Sequence, residues 1–202
     1  MRLLKKIKKH EMLRRWAIAE VYVEYLGALN KIIPQQLLQL LYSEDITKEE
    51  EGIDQALKPH HLSLANCLSD DVCWYLANLE INISEFNKLN TLPIPEFGGM
   101  TQYTYQVSSA ARQLHDNPNL DLRINRIKEA AKRKGKQVQW SGITLIASSV
   151  DGPFTIIEGN GRLISLYQIL FLENNQSYFD GEIEVVIGIT NEEFKIGYQI
   201  LG

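Results

Sequence analysis

Glu158, Gly159, Asn160, Gly161 and Arg162 stand in five consecutive positions: an acid, two glycines around an amide, and a guanidinium. Residues 154–157 before them read as a strand. Leu163, Ile164, Leu166, Tyr167, Ile169 and Leu170 behind them recur at helical spacing. A strand that turns sharply through Gly-Asn-Gly into a helix presents several backbone N–H groups at the positive end of the helix dipole, which suits an anion. Arg162 adds a planar fork of donors matched to phosphate or carboxylate. Glu158 can bind Mg²⁺ or accept a proton from an acceptor group. The same residues also fit a plainer account: an acid stabilised by a helix dipole, an arginine held in a salt bridge, and glycines needed for a tight turn. One carboxylate is a thin metal site, and Asp151, Asp180 and Glu182 are second-ligand candidates by position only.

Several elements must position this turn. Residues 143–148 predict a strand, and Asp151-Gly152-Pro153 turns the chain back into residues 154–157 as a hairpin partner. The helix after the turn is expected over 161–172, a strand over 182–189, and a closing helix over 192–201. Upstream, residues 120–134 predict a helix, with Leu122, Ile124, Ile127 and Ala131 on its apolar side and Gly135 as its stop. Lys132, Arg133, Lys134 and Lys136 suit the negative end of that helix. A further helix is expected over 105–114, closed by Asp116, Asn117 and Pro118. Residues 72–81 predict a strand, Ser84 caps a short helix through Phe86 and Leu89, and Pro93, Pro95, Gly98 and Gly99 form a loop.

The first third reads as helical. Met12, Trp16, Ala19, Val23 and Leu26 recur at 3–4 residue steps, an amphipathic helix ending near Gly27. Pro34 suits the first position of another helix, with Leu37, Leu38, Leu40 and Leu41 behind it. Residues 44–51 are acidic, and Lys58-Pro59 marks a break. The expected organisation is a helical region over 1–68 and an α+β domain over 69–202, with helices packed on a small mixed sheet. Arg2, Lys5, Lys6, Lys8, Lys9, Arg14 and Arg15 make the beginning basic. That charge fits a solvated helix face or contact with an acidic partner.

Bulk properties restrict the function classes. The 202 residues can bury a sizeable core, and 45% hydrophobic with 23% charged residues is ordinary for a globular protein. The net charge of −4 disfavours bulk nucleic-acid binding. No stretch reaches transmembrane length, no secretory signal is expected, and cytoplasmic residence is the default. Cys67 and Cys73 match no common zinc spacing and are expected to be reduced and partly buried. His60-His61 resembles a loop and carries no metal assignment. His10 and His115 are expected to be exposed, and Trp74 and Trp140 to pack in the core or at its rim. Gln102, Tyr103, Tyr105 and Arg112 can line a cleft, and they equally fit an ordinary surface.

Named motifs discriminate further. The dinucleotide fingerprint fits Gly159 and Gly161 but meets Ile164 at its third glycine, and no P-loop G-K-[ST] follows. Residues 158–162 resemble the second half of the Fic-type nucleotidyl transferase motif, yet Phe154 stands where that family has its histidine. The order of strand hairpin, [DE]-G-x-x-R turn, helix and strand over roughly residues 70–200 resembles the ParB/sulfiredoxin-like superfamily.

That resemblance implies a turn holding nucleotide phosphates, with ATP or another nucleotide and Mg²⁺ as cofactor, and a nucleotide or other phosphorylated small molecule as partner. It implies Glu158 and Arg162 as catalytic residues, with Gly159, Asn160, Gly161 and Arg162 binding phosphate. Sulfiredoxins carry a cysteine where Asn160 stands, which excludes sulfinic acid repair. Chromosome-partitioning members carry two arginines where only Arg162 is kept. Kinase-like members carry a histidine at the position of Asn160, and an amide cannot shuttle protons. The implied activity is phosphotransfer or nucleotide hydrolysis, with a non-catalytic nucleotide-sensing or interaction module as the alternative. Arg162→Ala is then expected to weaken binding by about 1.5–3 kcal/mol with little effect on folding.

Overall fold

The computed structural model describes residues 1–27, 35–58, 62–135, 140, 142–175 and 181–190. The chain begins with β1 (Arg2–Ile7), α1 (Lys9–Gly27), α2 (Gln35–Leu41), α3 (Ile46–Leu57) and α4 (Leu62–Cys67). It continues through β2 (Cys73–Glu80), α5 (Ile83–Phe86), β3 (Leu89–Asn90), α6 (Pro95–Met100), α7 (Val107–Asp116) and α8 (Leu122–Lys134). It then forms β4 (Thr144–Ala147), β5 (Phe154–Glu158), α9 (Asn160–Tyr167) and β6 (Glu182–Ile189), with a π-helical segment, Gln168–Leu172, prolonging α9.

Strand alternation explains the layering. Trp74, Leu76, Ile146, Ile157 and Val186 point to one side of the sheet, and Ala77, Leu79, Leu145, Ile156, Val185 and Ile187 to the other. The strands lie in the order β1-β2-β6-β4-β5-β3. β1/β2, β2/β6 and β4/β5 are antiparallel, while β6/β4 and β5/β3 are parallel. Helices cover both faces. Ala110, Leu114, Ile124, Leu163 and Ile169 from α7, α8, α9 and its extension build one core. Met12, Trp16, Leu41, Ile53, Leu57 and Leu68 build the other. Trp16, Leu41 and Leu57 are fully buried, and each such side chain contributes about 1.5–3 kcal/mol by leaving water. The fold is α+β, a mixed sheet with packed helices, as the element pattern implies.

Capping fixes several boundaries. The Asp45 carboxylate accepts hydrogen bonds from Thr47 N and Lys48 N at the start of α3, and Asp121 accepts from Ile124 N at 2.9 Å to start α8. Gly135 ends α8 with φ 58°.

Some local expectations are corrected. Asn82, rather than Ser84, caps the short helix by accepting from Glu85 N, and Leu89 belongs to a strand. Pro95 occupies the first position of a helix, where its missing N–H costs nothing, so residues 95–100 are helical rather than loop. The first residues are not helical throughout: Arg2–Ile7 add an edge strand to β2. Its exposed lysines and its irregular register between Leu3 and Lys5 are features that discourage edge-to-edge association. Met12 and Trp16 share a core with Trp74 and Val186, so the opening helices pack directly on the sheet. Pro34, Pro59, His60, His61, Lys136, Asp180 and the helix expected over 192–201 lie outside the described residues. No helix among the described residues is long and apolar enough to cross a membrane.

One loop carries unusual backbone. Gln102, Tyr103 and Tyr105 have φ values of 52°, 59° and 57°. Each left-handed non-glycine residue costs roughly 1–2 kcal/mol, so the surrounding structure must enforce the shape.

Candidate functional site

β5 ends at Glu158, and Gly159 makes the turn with φ 103° and ψ 12°. A side chain is strained at that φ. A Cβ at Gly159 would also stand 2.9 Å from Cγ1 of Ile143. Gly161 has ordinary helical geometry, but its Cβ would approach Cδ1 of Ile127 to 3.0 Å, because α8 lies against the first turn of α9. Asp45, Asn82 and Asp121 cap α3, α5 and α8 with side-chain oxygens, whereas α9, like α6 and α7, starts without a side-chain cap. Leu163 N closes the first helical bond on the Gly159 carbonyl at 3.0 Å.

Arg162 and Glu158 come together at i,i+4 across the turn. Arg162 Nη2 donates to Glu158 Oε1 at 3.1 Å and to the Gly142 carbonyl at 3.3 Å. Their side chains are only 8% and 11% exposed, so the pair ties the end of β5 to α9 and to the segment before β4. Gly142 has φ 75°, and a Cβ there would stand 2.1 Å from Cβ of Ala19, so α1 presses on the same segment. Burial changes the expected effect of removing Arg162: the variant is expected to lose folding stability, since a buried carboxylate would lose the guanidinium that bonds it.

Two polar atoms beside the turn lack partners. Asn160 Oδ1 is buried without a hydrogen bond, although the residue as a whole is only half-buried. Thr144, opposite Glu158 in the β4/β5 register, is fully buried, and its Oγ1 has no partner. An unsatisfied buried polar group costs about 1–3 kcal/mol.

The other candidate residues lie elsewhere. Asp151 is exposed in the turn before β5, at the far end of that strand from Glu158. Glu182 accepts from Arg2 Nη2 at 2.6 Å and from Asn78 Nδ2, at the β2/β6 margin of the sheet. Neither completes a metal site with Glu158, and no group of three or more His, Cys, Asp or Glu residues among the described residues is placed to hold a metal ion. Cys73 is half-buried, while Cys67 is exposed rather than partly buried; both are free thiols. Trp74 and Trp140 are buried, at 2% and 5% exposed. His115 and Arg112 are exposed on α7.

His10 is half-buried rather than exposed, with Nε2 2.7 Å from Glu49 Oε2. It belongs to an ion-pair network that sequence reasoning missed. Glu11 accepts from Arg14 at 2.6 Å and Arg15 at 2.8 Å, Arg14 reaches Glu49 at 3.4 Å, and Arg15 reaches Glu184 at 2.7 Å. The i,i+3 and i,i+4 spacing of Glu11, Arg14 and Arg15 was the available signal. Burial acts to raise the Glu11 carboxyl, but hydrogen bonds and charge from Arg14 and Arg15 together hold it below its ordinary value. Much of the positive charge near the beginning is therefore answered internally, while Lys5, Lys6 and Lys8 stay exposed.

Comparison with protein-family models, with curated proteins and with solved structures finds no match.

Proposed function

We propose that the chain binds the phosphate of a nucleotide or other phosphorylated small molecule at the 158–162 turn, in the manner of ParB/sulfiredoxin-like proteins. The observation that carries this reading is the bare start of α9. A left-handed glycine delivers β5 into a helix that no side chain caps, with the Asn160 amide group beside it. Backbone N–H groups of residues 159–162 hold the phosphate, and the helix dipole offsets its charge. Glu158 and Arg162 fix the shape of the turn through their buried pair. Binding without turnover is the form this geometry favours, since the two side chains best suited to chemistry are committed to each other.

Phosphotransfer or nucleotide hydrolysis, with Mg²⁺, is the second reading. It requires the pair to open on binding, freeing Arg162 for the phosphate and Glu158 for the metal or the acceptor proton. Thermal unfolding with ATP, ADP, CTP and GTP, each with and without Mg²⁺, tests both. A ligand at one hundred times its Kd stabilises the folded state by about 2.7 kcal/mol. Stabilisation without product release supports the binding module. Stabilisation with slow Mg²⁺-dependent hydrolysis supports the enzyme. No response to any nucleotide removes both.

A further inference from the structure

Tyr103 is the most exposed large hydrophobic residue described, with 76% of its surface in water, yet its place is tightly specified. Gln102, Tyr103 and Tyr105 are held in left-handed backbone. Such strain persists only where neighbouring structure enforces it, and it concentrates at ligand-contacting segments. The enforcement is visible. Tyr103 N donates to the Gly98 carbonyl at 2.8 Å, Thr91 N donates to the Tyr105 carbonyl at 2.7 Å, and Thr104 Oγ1 donates to the Thr101 carbonyl at 2.7 Å. The Tyr103 ring edge lies against Gly98, where a Cβ would stand 3.0 Å from Cε1, and the Tyr105 hydroxyl lies 3.7 Å from the same point. A glycine thus makes room for the ring, while most of the ring stays open to solvent.

Register places this loop at the same end of the sheet as the 158–162 turn. β3 runs parallel to β5, with Leu89 opposite Phe154 and Asn90 opposite Thr155, so both strands point their carboxyl ends the same way. Asn90 bridges antiparallel to Gln106, and Thr91 bonds to Tyr105, so the segment from Gln106 back toward Tyr103 heads to that end too. Two inter-strand spacings separate β5 from this segment, about 10 Å at 4.7–4.9 Å each. That separation matches the reach from a nucleotide's phosphate to its base.

We infer that Tyr103 is a stacking platform for the base of a nucleotide whose phosphate sits on the 158–162 turn; this rests on the phosphate reading above and narrows its ligand to a nucleotide. An aromatic face binds any base by stacking, with contributions large enough to shift affinity tenfold or more. The strained loop serves to hold the ring out of the core and toward the ligand.

Titration calorimetry on the full chain, with ATP, CTP and inorganic tripolyphosphate as probes, tests the inference. The expected result is nucleotide binding tighter than tripolyphosphate binding. Tyr103→Ala should then weaken ATP and CTP by about tenfold or more while leaving tripolyphosphate unchanged. Tyr103→Trp should retain nucleotide affinity, and unchanged melting temperatures would show both variants folded. Equal affinity for nucleotide and tripolyphosphate, or nucleotide binding untouched by Tyr103→Ala, overturns the stacking role and leaves the phosphate site standing. Failure of all three probes to bind the unmodified chain overturns the phosphate site and the platform together.

Discussion

Two glutamate–arginine constellations occupy this molecule at nearly the same sequence spacing, one across a strand-to-helix turn and one along a helix. Glu158 and Arg162 are paired at i,i+4 with side chains 11% and 8% exposed, against the end of the sheet. Glu11, Arg14 and Arg15 are paired at i,i+3 and i,i+4 on α1 with exposures of 27%, 23% and 32%. Residue type and spacing are almost identical, so neither separates a clamp from surface decoration. Burial separates them: water screens the outer group and leaves the inner pair dependent on its own partners.

The largest expected effect follows from breaking the inner pair. Glu158→Ala leaves a buried guanidinium without its carboxylate and is expected to cost about 3–5 kcal/mol in denaturant unfolding. Replacing both residues together, Glu158→Leu with Arg162→Met, is expected to recover most of that loss, because no uncompensated buried charge remains. A single-variant loss under about 1 kcal/mol would place the inner pair in the same class as the outer one and dissolve the contrast.

Within the inner region, the two glycines sharpen the point. Gly159→Ala combines a left-handed φ of 103° with a Cβ 2.9 Å from Ile143, and a loss of about 2–4 kcal/mol is expected. Gly161→Ala meets only the far end of Ile127 and gains helix propensity, so its stability should stay within about 1 kcal/mol of the unmodified chain. Equal losses from both, read by thermal unfolding, would show that the turn is limited by packing alone.

The contrast also marks how far sequence carries. Runs of β-branched, aromatic and other apolar residues made β2, β4, β5 and β6 legible, because strands buried on one or both faces must carry them. The helix around Met12 and Trp16 and the helix ending at Gly135 were legible from spacing and stop residues. β1 was not, since a lysine-rich edge strand has no buried face and reads as charged surface. α6 was hidden because Gly98 and Gly99 suggest a loop, whereas Gly98 sits in a helix under the Tyr103 ring. At the turn, the five residues and their strand–helix setting were readable. A salt bridge for Arg162 was among the readings as well, but its bond to the Gly142 carbonyl was not, because Gly142 is 20 residues away and its carbonyl carries no side-chain identity.

The smallest expected effect lies in the outer group, where pH gives the cleanest reading. Glu11 is held below its ordinary value of 4.5: burial alone would raise it, and Arg14 and Arg15 outweigh burial. A carboxyl lowered in the folded state contributes stability that is fully present above its unfolded value and is lost as pH falls through the folded one. Glu11→Gln should therefore cost less than about 1 kcal/mol at neutral pH and low salt. That deficit should shrink once pH drops below the ordinary carboxylate range, because the unmodified side chain is then neutral as well. Added salt at pH 7 should shrink it too, since the pairs are partly exposed and screening reaches them. A deficit that persists at acid pH and high salt would mean that Glu11 acts through packing rather than charge, and the two constellations would then differ in kind rather than only in burial.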